Sequence, residues 1–572
     1  MGADYRMDAQ QGKSCREAVY SNEYYDLIFD YISGYPRLES GCYQRVSDQY
    51  DIAYYARDQV PELNLQDYPY LTIPKCFGLS DLSALESSGI LRLQNPEGLD
   101  LLGQGILVGF VDTGIDYTHP AFRNLDGSTR IAGIWDQTVE DGIPPEGFGY
   151  GQYFDEDSIN RALQSEQPFG IVPSRDELGH GTFLAGVACG NADPAQDFSG
   201  AAPLASVAMV KCKQAKPYLR EYYVIPESVP CYQENDLMMG MAWLMDLADQ
   251  LGKPLILCVG MGSSMGNHAG EEPISMLADN YGRRRGRAIV IPAGNEAAAR
   301  HHYSRTGLGE GMRERIEISV GENVPGFYLE FWAAVPEIYR LAVLSPGGER
   351  LEEGSGTEGR ISHRFLFERT ELTIDYTAAG ARLGGQLIYL RFTDPYPGIW
   401  TIEVIPELVL EGTFHCWLPL TELMKGEVYF LRSSPDTTVL VPGFASVAVT
   451  AGAYQTAGGG ISPESGRGYS ILGDVKPDIA APGVGVYGTE PGGGYGVRTG
   501  TSVAAAVTAG GCAQIFQWGI EENNFQYLNS RDLSQLLIRG AIRDTDRIYP
   551  NTSYGYGRLD VYRALDTLRR GI

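Results

Sequence analysis

Three short glycine-containing segments, far apart in the chain, carry a carboxylate, an imidazole and a hydroxyl. The segments span residues 111–116, 179–182 and 500–504. Their candidate reactive residues are Asp112, His180 and Ser502, in that order along the chain. Glycine beside such residues lets the backbone pass close to a substrate. A hydroxyl activated by an imidazole, which a carboxylate in turn orients, is the nucleophilic machinery of a serine hydrolase, and its members occur in a few fixed orders.

The residues around these three predict where each side chain lies. Asp112 follows an apolar run, 105–111, that predicts a buried strand ending in a turn, the usual place for functional groups in an open α/β sheet. His180 and Ser502 each precede small apolar residues, which predicts two helix starts. A helix start disfavours a charged imidazole, and its backbone N–H groups point at an oxyanion formed when Ser502 attacks a carbonyl.

A fourth residue, Asn295, follows a strand-like run at 287–292 and has a side-chain amide suited to donate to the same oxyanion. Each of the four also has an ordinary structural explanation. Aspartate and asparagine are common turn residues, a histidine can be a satisfied structural residue, and serine is a common helix N-cap. Because all four occur in one chain and in one consistent order, the catalytic interpretation is favoured, and a catalytically silent protein is the main alternative.

Elements that position these residues indicate an α/β protein with an inserted β region. Short buried strands alternate with helical patterns such as 236–248, which is typical of a parallel sheet flanked by helices. Between about 315 and 437, short alternating strands and Pro-Gly turns without a helical period predict a β-sandwich or jelly roll. Strand-like runs also occur near the N-terminus, at 25–32 and 50–55. The predicted parts are an N-terminal α/β segment at 1–66, an α/β domain in two pieces at 67–314 and 438–572, and the β insert at 315–437.

Composition narrows the classes of partner. The 45 basic and 72 acidic residues give a formal net charge of −27, which argues against binding to nucleic acid or to anionic lipid. Neither a signal peptide nor a long uncharged apolar run is visible, so we expect a protein that is not anchored in a membrane. The nine cysteines form no CxxC pairs, and reduced thiols in an intracellular compartment, the cytoplasm or a spore, are the simplest expectation.

Together with residues 200–203, 293–295 and 476–483, the three reactive segments resemble the subtilisin-like serine proteases, or subtilases. The resemblance runs from about Tyr68 to the C-terminus, except for the β insert. Within that family the chain is similar to the clostridial germination-protease (Csp) branch at four further segments, 113–120, 134–137, 301–303 and 554–558. Members of the branch carry a jelly roll between the oxyanion asparagine and the serine, and the position of the insert agrees.

The resemblance implies roles for individual residues. Asp112, His180 and Ser502 are the triad, and Asn295 is the oxyanion donor. Residues 1–66 correspond to a propeptide of the kind that assists folding and that the enzyme itself cuts off, here near residues 60–75. The implied substrate-binding residues are two pocket walls, Val259, Gly260, Met261 and Gly262 with Ala293 and Gly294, and a strand edge for an extended substrate, Val210, Lys211 and Cys212.

Two departures from the commonest subtilase pattern stand out. After Ser502 the helix lacks the usual proline and histidine, and the pocket wall contains Gly260-Met261-Gly262 where Ser-Leu-Gly is frequent. No metal ligands are assigned, since family calcium sites match no particular residues here, and hydrolysis needs no cofactor.

The expected function is that of a serine endopeptidase that processes its own N-terminal segment and activates a protein or peptide precursor. The expected partners are that substrate and the propeptide. Three alternatives stay open at this point: a silent subtilase-like scaffold, an esterase or transpeptidase with the same triad, and a carbohydrate-binding insert. For the last, three tryptophans of the insert are assigned to its core instead, at positions 332, 400 and 417.

Overall fold

The protein is described here by a computed structural model. The residues it describes are 24–30, 42–45, 50–61, 83–96, 98–352, 359–376 and 385–569. The chain comprises two units, Met1–Leu79 and Ser80–Ile572. In the first unit, three antiparallel strands pair in the order β1-β3-β2; they are β1 (Tyr24–Asp30), β2 (Cys42–Arg45) and β3 (Tyr50–Ala56). The predicted boundary between residues 66 and 67 and most of the predicted self-cleavage region lie outside the described residues.

The second unit begins with α/β structure. Its strands before the insert are β4 (Leu107–Asp112), β5 (Ile131–Asp136), β6 (Gln152–Asp155), β7 (Ser206–Lys211), β8 (Leu255–Val259) and β9 (Arg287–Pro292). Its helices in this part are α1 (Ser83–Ser87), α2 (Ile90–Leu93), α3 (Glu156–Leu163), α4 (Pro168–Ile171), α5 (His180–Cys189), α6 (Pro217–Tyr222), α7 (Glu234–Leu251) and α8 (Pro273–Gly282). The predicted strands at 105–111, 207–210, 254–259 and 287–292 all occur, each within about two residues of its observed bounds.

Two antiparallel sheets follow in the inserted region. Their strands are β10 (His302–Arg305), β11 (Glu314–Val320), β12 (Gly326–Ala334), β13 (Ile338–Leu344), β14 (Arg350–Leu351), β15 (Gly359–Arg364), β16 (Glu371–Tyr376), β17 (Gly385–Thr393), β18 (Gly398–Leu408), β19 (Phe414–Trp417) and β20 (Val428–Phe430). The sheets have the orders β10-β19-β12-β17-β16-β15 and β14-β13-β18-β11-β20. Apolar side chains from both sheets form one core, and Trp332, Trp400 and Trp417 are all buried. The first strand begins 13 residues before the predicted boundary at 315.

The chain then returns to the α/β sheet. The remaining strands are β21 (Val449–Tyr454), β22 (Ile479–Pro482), β23 (Val486–Glu490) and β24 (Gly494–Arg498), and the remaining helices are α9 (Thr501–Phe516), α10 (Ser530–Gly540) and α11 (Val561–Arg569). The central sheet has eight strands in the order β22-β21-β9-β8-β4-β7-β5-β6, all parallel except β6. Strands β23 and β24 form a separate hairpin directly before α9.

The core lies on both faces of the central sheet. Along β4, Val108 and Phe110 pack with α5 and α9, whereas Leu107 and Val111 pack on the opposite face with α7 and α8. This alternation is the period of two that a strand buried on both faces requires. The helical stretch Thr501–Glu521 is the one stretch within the described residues long and apolar enough to cross a membrane, and 89% of its apolar window is buried inside the protein.

Candidate active site

Asp112, His180 and Ser502 come together at the carboxyl ends of the parallel strands. Asp112 is the last residue of β4, His180 the first residue of α5, and Ser502 the second residue of α9. Asp112 Oδ1 lies 2.8 Å from His180 Nδ1, and His180 Nε2 lies 3.0 Å from Ser502 Oγ. Both distances are hydrogen-bond distances, so carboxylate, imidazole and hydroxyl form one continuous chain.

Charge and burial act in opposite directions on the imidazole. The Asp112 side chain is 1% exposed and that of His180 is 32% exposed. Burial lowers the pKa of His180, but the charge of Asp112 and its hydrogen bond raise it, and the net pKa is raised above the ordinary value of 6.5. The adjacent carboxylate thus outweighs burial in the net pKa, and the effect expected of the helix start stays a prediction.

The glycine after the histidine lets α5 approach the Asp112 turn. A Cβ on Gly181 would lie 2.2 Å from the carbonyl oxygen of Gly114 and 3.2 Å from Cβ of Asp112. A contact of 2.2 Å is far inside van der Waals distance, so any side chain at this position would push the helix away from β4. The glycine is thus required for the distance between Asp112 and His180.

The glycine at position 260 has a similar explanation. A Cβ there would lie 1.9 Å from Oδ2 of Asp112. That oxygen is buried and has no hydrogen-bond partner among the residues that the structure describes, whereas Oδ1 accepts bonds from His180 and from the backbone N–H of Thr113. The departure from Ser-Leu-Gly at residues 260–262 therefore matches the close approach of the carboxylate to this strand end.

Asn295 lies beside the serine with its amide oriented by a neighbouring residue. Its Oδ1 accepts hydrogen bonds from the backbone N–H and the hydroxyl of Thr501, at 3.1 and 3.2 Å. The same hydroxyl accepts a bond from the N–H of Gly294, which has a left-handed φ of +89°. A Cβ built on Gly500 would lie 3.4 Å from Ser502 Oγ and 3.6 Å from Asn295 Nδ2. The hydroxyl and the amide N–H₂ therefore border the same space.

A buried carboxylate that the sequence reasoning missed organises this region. Asp176 is 4% exposed and accepts four hydrogen bonds, from the hydroxyl of Thr113, the N–H of Gly179 and both the N–H and the hydroxyl of Thr182. It thus ties the turn after Asp112 to the first turn of the helix that begins at His180. The available signal was an aspartate three residues before the glycine that precedes the helix, a position at which its side chain caps free N–H groups.

The two predicted pocket walls leave neighbouring strands at the same edge of the sheet. Val259 ends β8 and is followed by Gly260, Met261 and Gly262, whereas Ala293 and Gly294 follow β9. Strands β8 and β9 are adjacent and parallel. The walls therefore face each other next to Asn295.

The predicted substrate edge at Val210, Lys211 and Cys212 is wrong. Val210 and Lys211 lie in β7, which is paired on one side with β4 and on the other with β5. The N–H of Cys212 donates to the carbonyl of Asp112, and the carbonyl of Lys211 accepts from Gln137. With both sides of the strand occupied, no free backbone edge remains there for a substrate. The Lys211 ammonium instead pairs with the exposed Glu177 at 2.9 Å.

The cysteines whose side chains the structure describes form no disulfide, and metal ligands were not assigned from the sequence. Six cysteines with described side chains are free and buried, at positions 189, 212, 231, 258, 416 and 512. Within the described residues, no group of three or more His, Cys, Asp or Glu side chains is arranged to hold a metal ion.

Comparison with models of protein families matches residues 103–310 and 431–557, more than half of the chain, to the subtilase family. The interval between the two matches, 311–430, coincides with most of the two-sheet insert.

Among solved structures, the CspB protease of Clostridium perfringens is similar, with a TM-score of 0.76 and 31% identity over 86% of this chain and 98% of that one. The C5a peptidase of Streptococcus pyogenes serotype M1 is 22% identical over 75% of this chain and 36% of its own length. Subtilisin-like protease SBT2.1 of Arabidopsis thaliana is 32% identical over 132 residues, 20% of this chain and 16% of its own. The chain thus spans about a third or less of the length of these two curated relatives.

Proposed function

Because the chain belongs to the subtilase family, we propose that it is a serine endopeptidase with Asp112, His180 and Ser502 as its catalytic triad and Asn295 as an oxyanion donor. The observation that carries this proposal is the continuous hydrogen-bonded chain from Asp112 Oδ1 through both imidazole nitrogens to Ser502 Oγ. The arrangement matches the geometry by which a histidine activates a hydroxyl and a carboxylate orients the histidine.

In the proposed reaction, Nε2 of His180 takes the proton of the Ser502 hydroxyl as Oγ attacks the peptide carbonyl. The carbonyl oxygen becomes an oxyanion and accepts hydrogen bonds from Asn295 Nδ2 and the backbone N–H of Ser502. The C–N bond then breaks, and the amine leaves with the proton from His180. A water molecule, deprotonated by the same imidazole, releases the acyl group and restores Ser502.

The buried carboxylate stabilises the imidazolium that forms in both steps. Its charge raises the pKa of His180, so the proton taken from the serine is held more strongly during the attack. A hydrogen bond fixes the orientation of the Asn295 side chain. The N–H of Thr501 donates to Oδ1 of Asn295, so the donor Nδ2 lies on the side of Ser502.

The proposal includes self-processing of the N-terminal segment and cleavage of a protein or peptide precursor. Neither step needs a cofactor. The similarity to a protein named CspB protease over 86% of the chain supports proteolysis as the reaction of the site. The alternative of a silent scaffold loses favour because all four candidate residues keep a geometry that serves catalysis.

Peptide hydrolysis by matched serine variants tests the proposal. We expect the purified protein to cleave a mixed peptide library and the variant Ser502→Ala to cleave none of it. The control variant Ser433→Ala changes an exposed serine of the insert and should cleave the library as the wild type does. Intact-mass measurement should detect a single N-terminal cut near residues 60–75 in the wild type and none in Ser502→Ala. The assignment is refuted if Ser502→Ala still cleaves peptides, or if no preparation of the wild type cleaves any peptide. Turnover of esters without any peptide cleavage would favour the esterase alternative instead.

A further inference from the structure

The two pocket walls border the place where a substrate side chain must go, given the proposed function on which this inference rests. The attacked carbonyl lies between Ser502 Oγ and Asn295 Nδ2, which border one space. Gly294 directly precedes Asn295, and Gly262 lies on the facing wall from the adjacent strand. The side chain of the residue that carries the attacked carbonyl therefore enters between Gly262 and Gly294.

Leu440 already occupies the inner part of that gap. A Cβ on Gly294 would lie 2.2 Å from Leu440 Cγ and 2.5 Å from its Cδ1. A Cβ on Gly262 would lie 3.0 Å from Leu440 Cβ and 3.2 Å from its Cδ1. The isobutyl group therefore touches both walls at once, and Leu440 is only 8% exposed.

Backbone hydrogen bonds to each wall fix the position of Leu440. Its N–H donates to the carbonyl of Ala293 at 2.9 Å, on the wall that contains Gly294. The next residue, Val441, exchanges two hydrogen bonds with Ser263, which directly follows Gly262, at 2.9 and 2.8 Å. These bonds anchor the main chain at Leu440 to both walls, so the base of its side chain is held at the gap.

The space beyond Leu440 offers no second place for a large side chain. The cavity there is lined by Ser264, His268, Glu296, His301, His302, Trp417, Leu418 and Thr438, together with Leu440 itself. It has room for about one water molecule. Trp417 ends β19 and Leu418 follows it, so the inserted β region contributes to the lining of this cavity. A large substrate side chain that enters this gap would therefore have to displace Leu440.

We propose that Leu440 is a specificity-determining residue that makes the primary pocket shallow, so that the protein cleaves after glycine, alanine or serine and rejects large apolar, aromatic and basic residues. The class of substrate is then an extended peptide with a small residue before the cleaved bond. The glycines of the two walls give room for the main chain, and Leu440 sets the depth.

The test compares peptides that differ only in the residue before the cleaved bond, alanine against phenylalanine. Wild-type kcat/KM should be at least about a hundredfold higher for alanine, since one methylene beyond the size of a pocket costs about 10–200-fold and phenylalanine exceeds alanine by far more. Leu440→Ala opens the gap and should lower this ratio at least about tenfold, mainly through faster cleavage after phenylalanine. The matched control is Val439→Ala, because Val439 packs with Ala293 and Phe444 instead of in the gap. It should retain the wild-type ratio.

Active-site titration with a fluorophosphonate separates failure of this inference from failure of the proposed function. If all three proteins titrate fully and the wild type cleaves after phenylalanine as fast as after alanine, Leu440 does not set the depth. An unchanged ratio in Leu440→Ala, or the same change in Val439→Ala, overturns the inference as well. If the wild type neither titrates nor cleaves any peptide, the protease assignment itself is wrong, and the pocket assignment falls with it.

Discussion

Replacement of Asp176 by asparagine tests whether this buried carboxylate positions the candidate triad. The four donors that it binds belong to Thr113, Gly179 and Thr182, with donor–acceptor distances of 2.7–2.9 Å. Each carboxylate oxygen accepts two of these bonds. In Asp176→Asn one oxygen becomes an N–H₂ group that faces two donors, so two of the four bonds lose their acceptor.

The expected loss of stability follows from that count. A hydrogen bond to a charged group contributes about 1.5–3 kcal/mol, so two lost bonds correspond to about 3–6 kcal/mol. For the unit Ser80–Ile572, an unfolding entropy of about 2.1 cal/mol/K per residue converts this loss of free energy into a fall of about 3–6 °C in Tm. Because the turn after Asp112 and the start of α5 shift relative to each other, kcat should fall at least about tenfold with little change in KM.

The pH dependence of kcat/KM distinguishes a positioning role near the histidine from a loss of stability alone. The charge of Asp176 is among the groups that raise the pKa of His180. Since the base must be neutral, the acidic limb of the wild-type profile should lie above pH 6.5, and loss of this charge should move the limb to lower pH. Calorimetry gives Tm, and peptide hydrolysis between pH 5 and 9 gives the limb. The control is Asp126→Asn, at an exposed turn aspartate that accepts hydrogen bonds from Ser128, and it should change neither quantity. If Asp176→Asn keeps the wild-type Tm, kcat and acidic limb, the positioning role is refuted.

Three further predictions follow from single contacts. Asn295→Ala removes the amide that faces the serine and should lower kcat about 10²–10³-fold with KM within about twofold, measured by steady-state kinetics; a normal kcat would exclude the oxyanion role. Gly260→Ala places a Cβ 1.9 Å from Asp112 Oδ2 and should lower kcat, calculated per active site titrated with a fluorophosphonate, about a hundredfold. An unaffected kcat would show that the end of the strand can move to make room for the methyl group. Burial of His268 and partial burial of His415 lower the pKa of each to about 4. Stability should therefore be lost as the pH falls from about 6.5 to about 4, where unfolded histidines bind protons that folded ones do not. Tm measured against pH should fall less steeply in His415→Gln; an identical slope would contradict this account.

The sequence was most informative where one local pattern determines one element. The apolar run before Asp112 had to be a buried strand, and its bounds agree with β4 to within two residues. The small apolar residues after His180 and Ser502 likewise predicted the helices α5 and α9. The resemblance to the subtilases and their Csp branch, predicted from a few motifs, is confirmed by the family model and by the CspB structure.

The errors concern contacts between distant segments. Whether Val210 and Lys211 have a free edge depends on the order of the strands in the sheet. Strand β5 pairs with that edge, and nothing in its own sequence indicates that β7 is its partner. Asp176 acts through donors from two separate turns, which only the folded chain brings together. The strand β10, which begins before the predicted boundary at 315, is only four residues long, so its alternation is too short to detect in the sequence.

The proposed function requires that Ser502 is a nucleophile activated by His180. The most direct measurement is mass spectrometry of the protein after reaction with a fluorophosphonate, with the adduct located in its proteolytic peptides. We expect one adduct, on Ser502, that forms at least about a hundredfold more slowly in His180→Ala because the hydroxyl loses its base. No adduct in the wild type, an adduct on another serine, or equally rapid labelling of His180→Ala would contradict it.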